Sequence, residues 1–263
     1  MRESRPSIGI STETREGLGV IARIVVDHEL RINVLNSFLI QGMASAIASF
    51  QSDESVRVLV ITGAGDRAFI GGADIREMSR LDASSARTFI EQLHTTCTAI
   101  REFHAPVIAR IRGFCLGAGL EIAASCDLRI ASDDSVFGMP EVKVGIPSVI
   151  EAALLPGLIG WGRTRELVLT GKLIKAREAL QWGLVERVVP AADLDNTAGQ
   201  WIESILESGP RAIRLQKALI REWQNRPLKE AIDKGIEAFS DAYNTDEPKR
   251  LMDLFLNRRS GES

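Results

Sequence analysis

Two aliphatic runs rich in β-branched residues, each followed by a glycine-rich turn, constrain this chain's fold more than any other feature. Residues 56–62 predict a buried strand that ends in the turn 63–66, and residues 107–111, opened by Pro106, predict a second strand. A helical pattern over residues 84–103 separates them. Because strands that alternate with helices are joined by crossovers, the sequence predicts a mixed α/β fold rather than a series of hairpins.

The pattern changes beyond Pro147, where almost every periodic segment is helical. We therefore predict two regions, a mixed core over residues 1–200 and a helical region for oligomerisation over residues 201–263. In the first half, residues 18–26 and 127–131 predict further strands, and a helix over residues 35–50 is capped by Asn36. The predicted helices of the second half cover residues 149–159, 163–170, 176–182, 193–207, 210–224 and 227–244.

Charge and composition exclude several classes of protein. The net charge of -3 gives no basic field for nucleic acid, and a single Tyr argues against a base-stacking surface. The three cysteines, Cys97, Cys115 and Cys126, lack the spacing of a zinc site or a disulfide framework. Neither a signal peptide nor a membrane-spanning segment is evident. A cytoplasmic protein is expected.

Two small-residue segments lie where a strand turns towards a helix. The first is residues 68–75, which ends in Ala73, Asp74 and Ile75; the second is residues 113–121. Small residues let backbone N–H groups approach a ligand, and a helix N-terminus favours an oxyanion. Taken alone, the first segment is more typical of an ordinary strand-to-helix turn with Asp74 as the helix cap, and the second also fits a tight turn.

A third segment, residues 138–147, places Glu141 between two prolines. A carboxylate in an apolar pocket can have a raised pKa and can transfer protons. Alone, the segment also fits a surface turn in which Glu141 is solvated or pairs with Lys143.

Taken together, the order of these segments resembles the crotonase (enoyl-CoA hydratase/isomerase) superfamily along nearly the whole chain. The spacing of the set is far more specific than any single motif. The matching blocks are residues 33–36, 56–65, 71–75, 105–109, 113–127, 140–141, 169–171 and 183–185. The resemblance implies a spiral of β-β-α units with a C-terminal helical region.

The resemblance also implies a set of catalytic groups. In such enzymes two backbone N–H groups hold the thioester oxygen of an acyl-CoA, and here they belong to Ala73 and Ala118. Relatives that hydrate their substrate carry two acids, which correspond to Glu121 and Glu141. We assign Glu121 mainly to activating water and Glu141 mainly to delivering a proton to Cα.

Substrate contacts and assembly follow from the same resemblance. CoA is expected along Ala73, Asp74, Ile75 and Arg76, with Arg76 near the phosphates or else solvated. CoA is part of the substrate, and no metal, nicotinamide or flavin is implied. A homotrimer or a dimer of trimers is expected, without nucleic acid or membrane partners. Arg258 and Arg259 correspond to basic residues that can face a neighbour's CoA.

The expected activity is hydration of a trans-2-enoyl-CoA in fatty acid metabolism. Another crotonase reaction (double-bond isomerisation, decarboxylation, thioester hydrolysis or retro-aldol cleavage) and a non-catalytic acyl-CoA-binding role are the alternatives. One segment departs from the family. Many hydratases carry glycines and then Thr-Gln after Pro147, whereas this chain has Ser148 and a different run to Leu155. Within that run, Glu151 is interpreted as an ordinary helix-face residue rather than an extra acid.

Overall fold

The computed structural model describes the backbone of residues 5–260 and the side chains of residues 5–257. Its strands are β1 (Ser7–Arg15), β2 (Gly19–Asp27), β3 (Val56–Gly63), β4 (Ala68–Ile70), β5 (Val107–Ile111), β6 (Phe114–Leu116), β7 (Leu128–Ser132), β8 (Val136–Gly138), β9 (Leu173–Lys175) and β10 (Arg187–Val189). Its α-helices are α1 (Ser37–Phe50), α2 (Ile75–Met78), α3 (Ala83–Glu102), α4 (Ala118–Ser125), α5 (Leu155–Thr170), α6 (Ala176–Trp182), α7 (Leu194–Leu206), α8 (Pro210–Asn225), α9 (Leu228–Ala242) and α10 (Glu247–Ser260).

Two short 3-10 helices lie beside the site described below. We call them the Glu141 turn (Glu141–Val144) and the Glu151 turn (Ile150–Leu154). The side chains of Arg258 and Arg259 lie outside the described residues, so their expected contact with CoA stays a prediction.

The strands form two sheets. The larger has the order β1-β2-β3-β5-β7-β10 and the smaller β4-β6-β8-β9. Among the strands of residues 5–260, only the β1–β2 and β8–β9 pairs are antiparallel. Three successive strand pairs, β3/β4, β5/β6 and β7/β8, each give their first strand to the larger sheet and their second to the smaller. Since α3 and α4 follow the first two pairs, the predicted spiral of β-β-α units is confirmed.

Helices cover both faces of the larger sheet. The main core includes Leu39 of α1 and Leu93 and Ile100 of α3. On the opposite face, α7 packs Ile202 and Leu206 against residues of β3, β5 and β7. This coverage explains why residues 58–61 of β3 are all aliphatic, because a strand with both faces buried has no polar face.

Most predicted elements are present within one or two residues of their predicted ends. Asn36 caps α1 as expected, because its side chain accepts a hydrogen bond of 2.9 Å from the N–H of Leu39. β1 was missed because its mostly exposed, polar residues lack a core face. The predicted helices 149–159 and 163–170 are instead the Glu151 turn followed by one α5, which is kinked at Gly160 (φ 78°).

The predicted boundary between residues 200 and 201 falls inside α7. Residues on both sides of it, such as Ala198, Ile202 and Leu206, pack on the same sheet, and the division of the chain at this point stays a prediction. Beyond it, α8 is tied to the core by buried Lys217. Its ammonium group lies 2.8 Å from Asp127 and donates to the carbonyl oxygen of Ala105 at 2.9 Å. Across residues 5–260, no helix is both long and apolar enough to cross a membrane.

Candidate active site

Three neighbouring parallel strands of the smaller sheet end at the same edge, and each is followed by a predicted site segment. β4 leads into Ala73, β6 leads into Ala118, and β8 leads into Glu141. Because β6 lies between β4 and β8, parallel to both, the three segments are brought side by side. The sheet order therefore assembles residues that are far apart in the sequence.

The first two segments touch through their glycines. Gly72 has a φ of 117° and Gly117 a φ of 50°, which L side chains rarely adopt. A methyl group on Gly117 would lie 4.0 Å from Cα of Gly72, and one on Gly72 would lie 3.4 Å from the carbonyl oxygen of Leu116. Each glycine directly precedes one of the two alanines, so the backbones that carry the alanine N–H groups approach closely.

The N–H groups of Ala73 and Ala118 are unused, whereas neighbouring N–H groups are paired. Asp74 donates to the carbonyl oxygen of Leu35 at 2.8 Å, and Leu120 donates to that of Gly117 at 2.8 Å. No residue of the described part accepts a hydrogen bond from Ala73 N–H or Ala118 N–H. Ala118 is also the first residue of α4, where the helix dipole places partial positive charge. Two free donors at touching loops form a suitable site for an oxyanion.

Glu121 lies in the first turn of α4 and is only 4% exposed. Its Oε1 accepts a hydrogen bond of 3.2 Å from the N–H of Ala152. The pKa of Glu121 is raised to about 8, mainly by burial; the Ala152 N–H opposes the rise, and the charges of Glu141 and Glu151 add to it. A carboxyl group with this pKa holds its proton at neutral pH.

Glu141 opens the Glu141 turn and is half-buried. Its Oε2 accepts a hydrogen bond of 2.8 Å from the hydroxyl group of Ser148. Its Oε1 faces the backbone of Gly117, where an added methyl group would overlap it. The structure thus brings the two predicted acids and the two predicted N–H donors into one site.

The structure shows that the sequence interpretation of Glu151 was wrong. It is not an ordinary helix-face residue, because it lies in a 3-10 helix and is 2% exposed. His94 Nδ1 lies 2.9 Å from Glu151 Oε1, and the guanidinium group of Arg101 lies 3.8 Å from the same oxygen. Both partners are on α3, about fifty positions away, and no local pattern in the sequence relates them to Glu151.

A cavity rich in arginine lies beside the loop that carries Ala73. Asp74 caps α2 by accepting a hydrogen bond of 2.9 Å from the N–H of Arg76, as the sequence predicted, and lies 3.7 Å from Arg31. Ile75 is exposed. Among residues 5–257, no cluster of His, Cys, Asp and Glu could hold a metal ion. The cavity is lined by Arg31, Asn36, Asp74, Arg76, Glu77, Arg80 and Leu81.

Comparison with known protein families identifies the family of this chain. The family model described as enoyl-CoA hydratase/isomerase matches residues 16–262. The chain belongs to this family. The resemblance inferred from the ordered sequence blocks, and the crotonase fold that it implied, are therefore confirmed.

Individual members of the enoyl-CoA hydratase/isomerase family are similar over nearly their whole length. The chain is 36% identical to a short-chain-enoyl-CoA hydratase of Clostridium acetobutylicum, covering 93% of this chain and 94% of the relative. It is 35% identical to a crotonyl-CoA hydratase of Syntrophomonas wolfei, covering 91% and 92%. A crystal structure of an enoyl-CoA hydratase from Bacillus anthracis superposes with a TM-score of 0.89 at 31% identity, covering 95% and 96%.

Proposed function

We propose that this protein is an enoyl-CoA hydratase that adds water to a trans-2-enoyl-CoA thioester. The observation that carries the proposal is the pair of carboxyl groups, Glu121 and Glu141, beside the two unused N–H groups of Ala73 and Ala118. Family membership alone does not select a reaction, because one fold hosts many. A second acid beside the oxyanion site favours hydration over isomerisation.

The two N–H groups stabilise the charge that develops during the reaction. Addition of water at Cβ moves negative charge onto the thioester oxygen and produces an enolate. Donors that are already in place lower the energy of that enolate without having to reorganise, and loss of one such donor costs roughly 3–4 kcal/mol. Because the donors at Ala73 and Ala118 are backbone groups, the loop geometry matters more than the side chains.

The carboxyl groups supply the proton transfers. Hydration needs one ionised group to take a proton from water and one protonated group to give a proton to Cα. Glu141 lies against Gly117, directly before the N–H of Ala118, and Cα is the substrate carbon next to the thioester carbonyl. This placement supports Glu141 as the donor to Cα. Glu121 lies deeper on α4 and is left to activate water for Cβ, which requires that the proton it holds in the ligand-free enzyme first passes to Glu141.

The cavity rich in arginine supports a binding mode for the CoA moiety. Its three guanidinium groups, from Arg31, Arg76 and Arg80, offer planar, permanently charged donors that suit phosphate groups. It adjoins the backbone of Ala73 and Asp74, so a CoA bound there would have its nucleotide outside and its thioester at the oxyanion site.

We also propose that the protein assembles as a homotrimer or a dimer of trimers. α9 carries an apolar face that is exposed in the single chain, and such a face favours assembly. A cytoplasmic location stays a prediction that the three unpaired, buried cysteines support. Light scattering that gives a monomer at micromolar concentration would contradict the assembly. The exposed residues of this face are Leu228, Ile232, Ile236 and Phe239 of α9 and Tyr243, which directly follows the helix.

A panel of enoyl-CoA thioesters tests the activity directly. Crotonyl-CoA is the first substrate to try, because two of the relatives are named for short-chain and crotonyl substrates. Hydration is followed by the loss of enoyl absorbance. Turnover of a 3-enoyl-CoA without hydration of any 2-enoyl-CoA would identify an isomerase, and tight CoA binding without turnover would identify a non-catalytic member.

A further inference from the structure

The buried carboxyl group of Glu151 has no part in the mechanism above. Its Oε1 contacts His94 and Arg101, whereas its Oε2 is buried without a hydrogen-bond partner among the described side chains. Leaving a polar atom in this state costs free energy, so a fold that retains one calls for an explanation. The residue belongs to the segment in which this chain departs from many hydratases.

The Glu151 turn also carries the backbone donor of Glu121. Ala152, which donates to Glu121, directly follows Glu151. Ile150, which precedes it, has a φ of 35°, an unusual conformation for a β-branched residue. Such a conformation persists only where its surroundings enforce it. The contacts of Glu151 with α3 supply that enforcement on one side of the turn.

The charged and titratable groups around Glu151 come from three elements. α3 contributes His94, Arg101 and Cys97, and burial raises the pKa of the Cys97 thiol well above its usual range, so the thiol is neutral. α4 contributes Glu121, on which the negative charge of Glu151 acts directly. The charged residues of α5 are engaged elsewhere: Arg163 and Arg165 lie over tryptophan rings, and Glu166 pairs with Lys172.

We propose that Glu151 is a positioning residue that holds the Ala152 N–H against Glu121 and adds to the effect of burial in favouring the protonated form of that carboxyl group. Its carboxyl group, held by His94 and Arg101, opposes a second negative charge nearby, and its peptide directs the N–H of Ala152 at Glu121. Only the effect of Glu151 on catalysis rests on the proposed function. The effect on the protonation of Glu121 exists in the ligand-free enzyme and is measurable there.

The test measures the titration of Glu121 in four variants. Infrared spectroscopy of the ligand-free protein detects the C=O stretch of a buried, protonated carboxyl group, and its absence in Glu121→Gln assigns the band. In Glu151→Gln the band should disappear at lower pH than in the wild type, because one negative charge has been removed. Glu91→Gln makes the same change of charge at an exposed site on α3 and should leave the titration unchanged.

A charge-retaining variant separates electrostatics from packing. Glu151→Asp should titrate nearer to the wild type than Glu151→Gln does. Equal shifts in these two variants, or no shift in Glu151→Gln, would overturn the proposal. His94→Gln changes a half-exposed side chain that contacts Glu151 but removes no negative charge, so it should not move the band to lower pH. A downward shift in that variant would also contradict the proposal.

The consequence for catalysis is measured separately, from the pH dependence of kcat/KM. If the protein hydrates crotonyl-CoA, the high-pH limb of kcat/KM should move to lower pH in Glu151→Gln together with the infrared titration, since this limb reports the free enzyme. If no substrate is hydrated, the proposed function fails while the infrared result still decides the role of Glu151. If the infrared midpoint moves but the kinetic limb does not, Glu121 is not a catalytic residue.

Discussion

Glu141 Oε1 lies so close to Gly117 that a methyl group on residue 117 would overlap it. One acid therefore contacts the loop that presents the Ala118 N–H, so the proposed proton donor and the proposed oxyanion donor are fixed relative to each other. Gly117 is required for two reasons, its φ of 50° and the carboxylate beside it.

Substitution of Gly117 by Ala should therefore reduce hydration strongly. The left-handed conformation alone costs a side chain roughly 1–2 kcal/mol, and the overlap would displace either Glu141 or the Ala118 N–H. We expect a large fall in kcat measured with crotonyl-CoA. Gly199→Ala is the matched control, because a methyl group on this α7 glycine meets no atom within 4 Å. Wild-type activity in Gly117→Ala would show that this contact has no role in the reaction.

Loss of either acid should impair hydration while substrate binding survives. Glu121→Gln and Glu141→Gln keep the shape of the side chain but cannot exchange a proton, and a general acid or base contributes roughly 10²–10⁴-fold each. The double variant should be little worse than the poorer single variant, because the pair acts as a unit. Two single variants that retain wild-type rates would rule out the two-acid mechanism.

The separate roles of the two acids are tested by exchange of the α-proton of butyryl-CoA, a saturated thioester, with deuterium oxide. Glu141→Gln should lose this exchange, because Glu141 is assigned to Cα. Glu121→Gln should retain more of it, because no water is added. Mass spectrometry measures the exchange, and the opposite result would reverse the two roles.

Ser148 should matter through Glu141 alone. Its hydroxyl group donates to Glu141 Oε2 at 2.8 Å, and a hydrogen bond to a charged group contributes roughly 1.5–3 kcal/mol. Ser148→Ala should lower kcat by about tenfold or more if that contribution is realised in the transition state, with little change in KM. Ser204→Ala is the control, because that hydroxyl group donates only to a backbone carbonyl oxygen of its own helix. A change in KM without a change in kcat would indicate a role in binding instead.

Arg76 should contribute to affinity for the nucleotide part of CoA rather than to the chemistry. Arg76→Gln is expected to raise KM for crotonyl-CoA by about tenfold, in keeping with a charge-assisted contact, and to leave KM for crotonyl-pantetheine unchanged. Arg87→Gln, on the exposed surface of α3, controls for the change in charge. An equal rise in KM for both substrates would show that Arg76 does not contact the phosphates.

The outline of this site could be predicted from sequence, because its parts are local. Each motif is made of neighbouring residues: a glycine directly before Ala73, a glycine directly before Ala118, and an acid between two prolines. The order of these motifs along the chain identified the family. The surroundings of Glu151 could not be predicted in this way. Its burial depends on His94 and Arg101 across the core, and its segment follows a 3-10 path through the strained Ile150 that helical periodicity does not reveal.

The buried carboxyl group of Glu121 should make the protein less stable as the pH rises. The pKa is raised from its ordinary 4.5 to about 8 by burial. Between these values the folded state binds a proton that the unfolded state has lost, so the free energy of unfolding falls with rising pH. At about 1.4 kcal/mol for each unit of pKa, the loss approaches 5 kcal/mol above pH 8. Glu121→Gln carries no such charge, so its stability relative to the wild type should increase from pH 4.5 to pH 8 and then level off.

Urea unfolding of both proteins at about pH 5, 7 and 9 measures this difference, and the comparison isolates Glu121 because all other titrating groups are shared. Glu91→Gln, at an exposed position, should show a nearly constant difference from the wild type over the same range. If the Glu121→Gln variant shows no relative gain at the highest pH, Glu121 is already ionised at neutral pH. Its assignment as the buried, protonated member of the pair in the ligand-free enzyme would then be wrong.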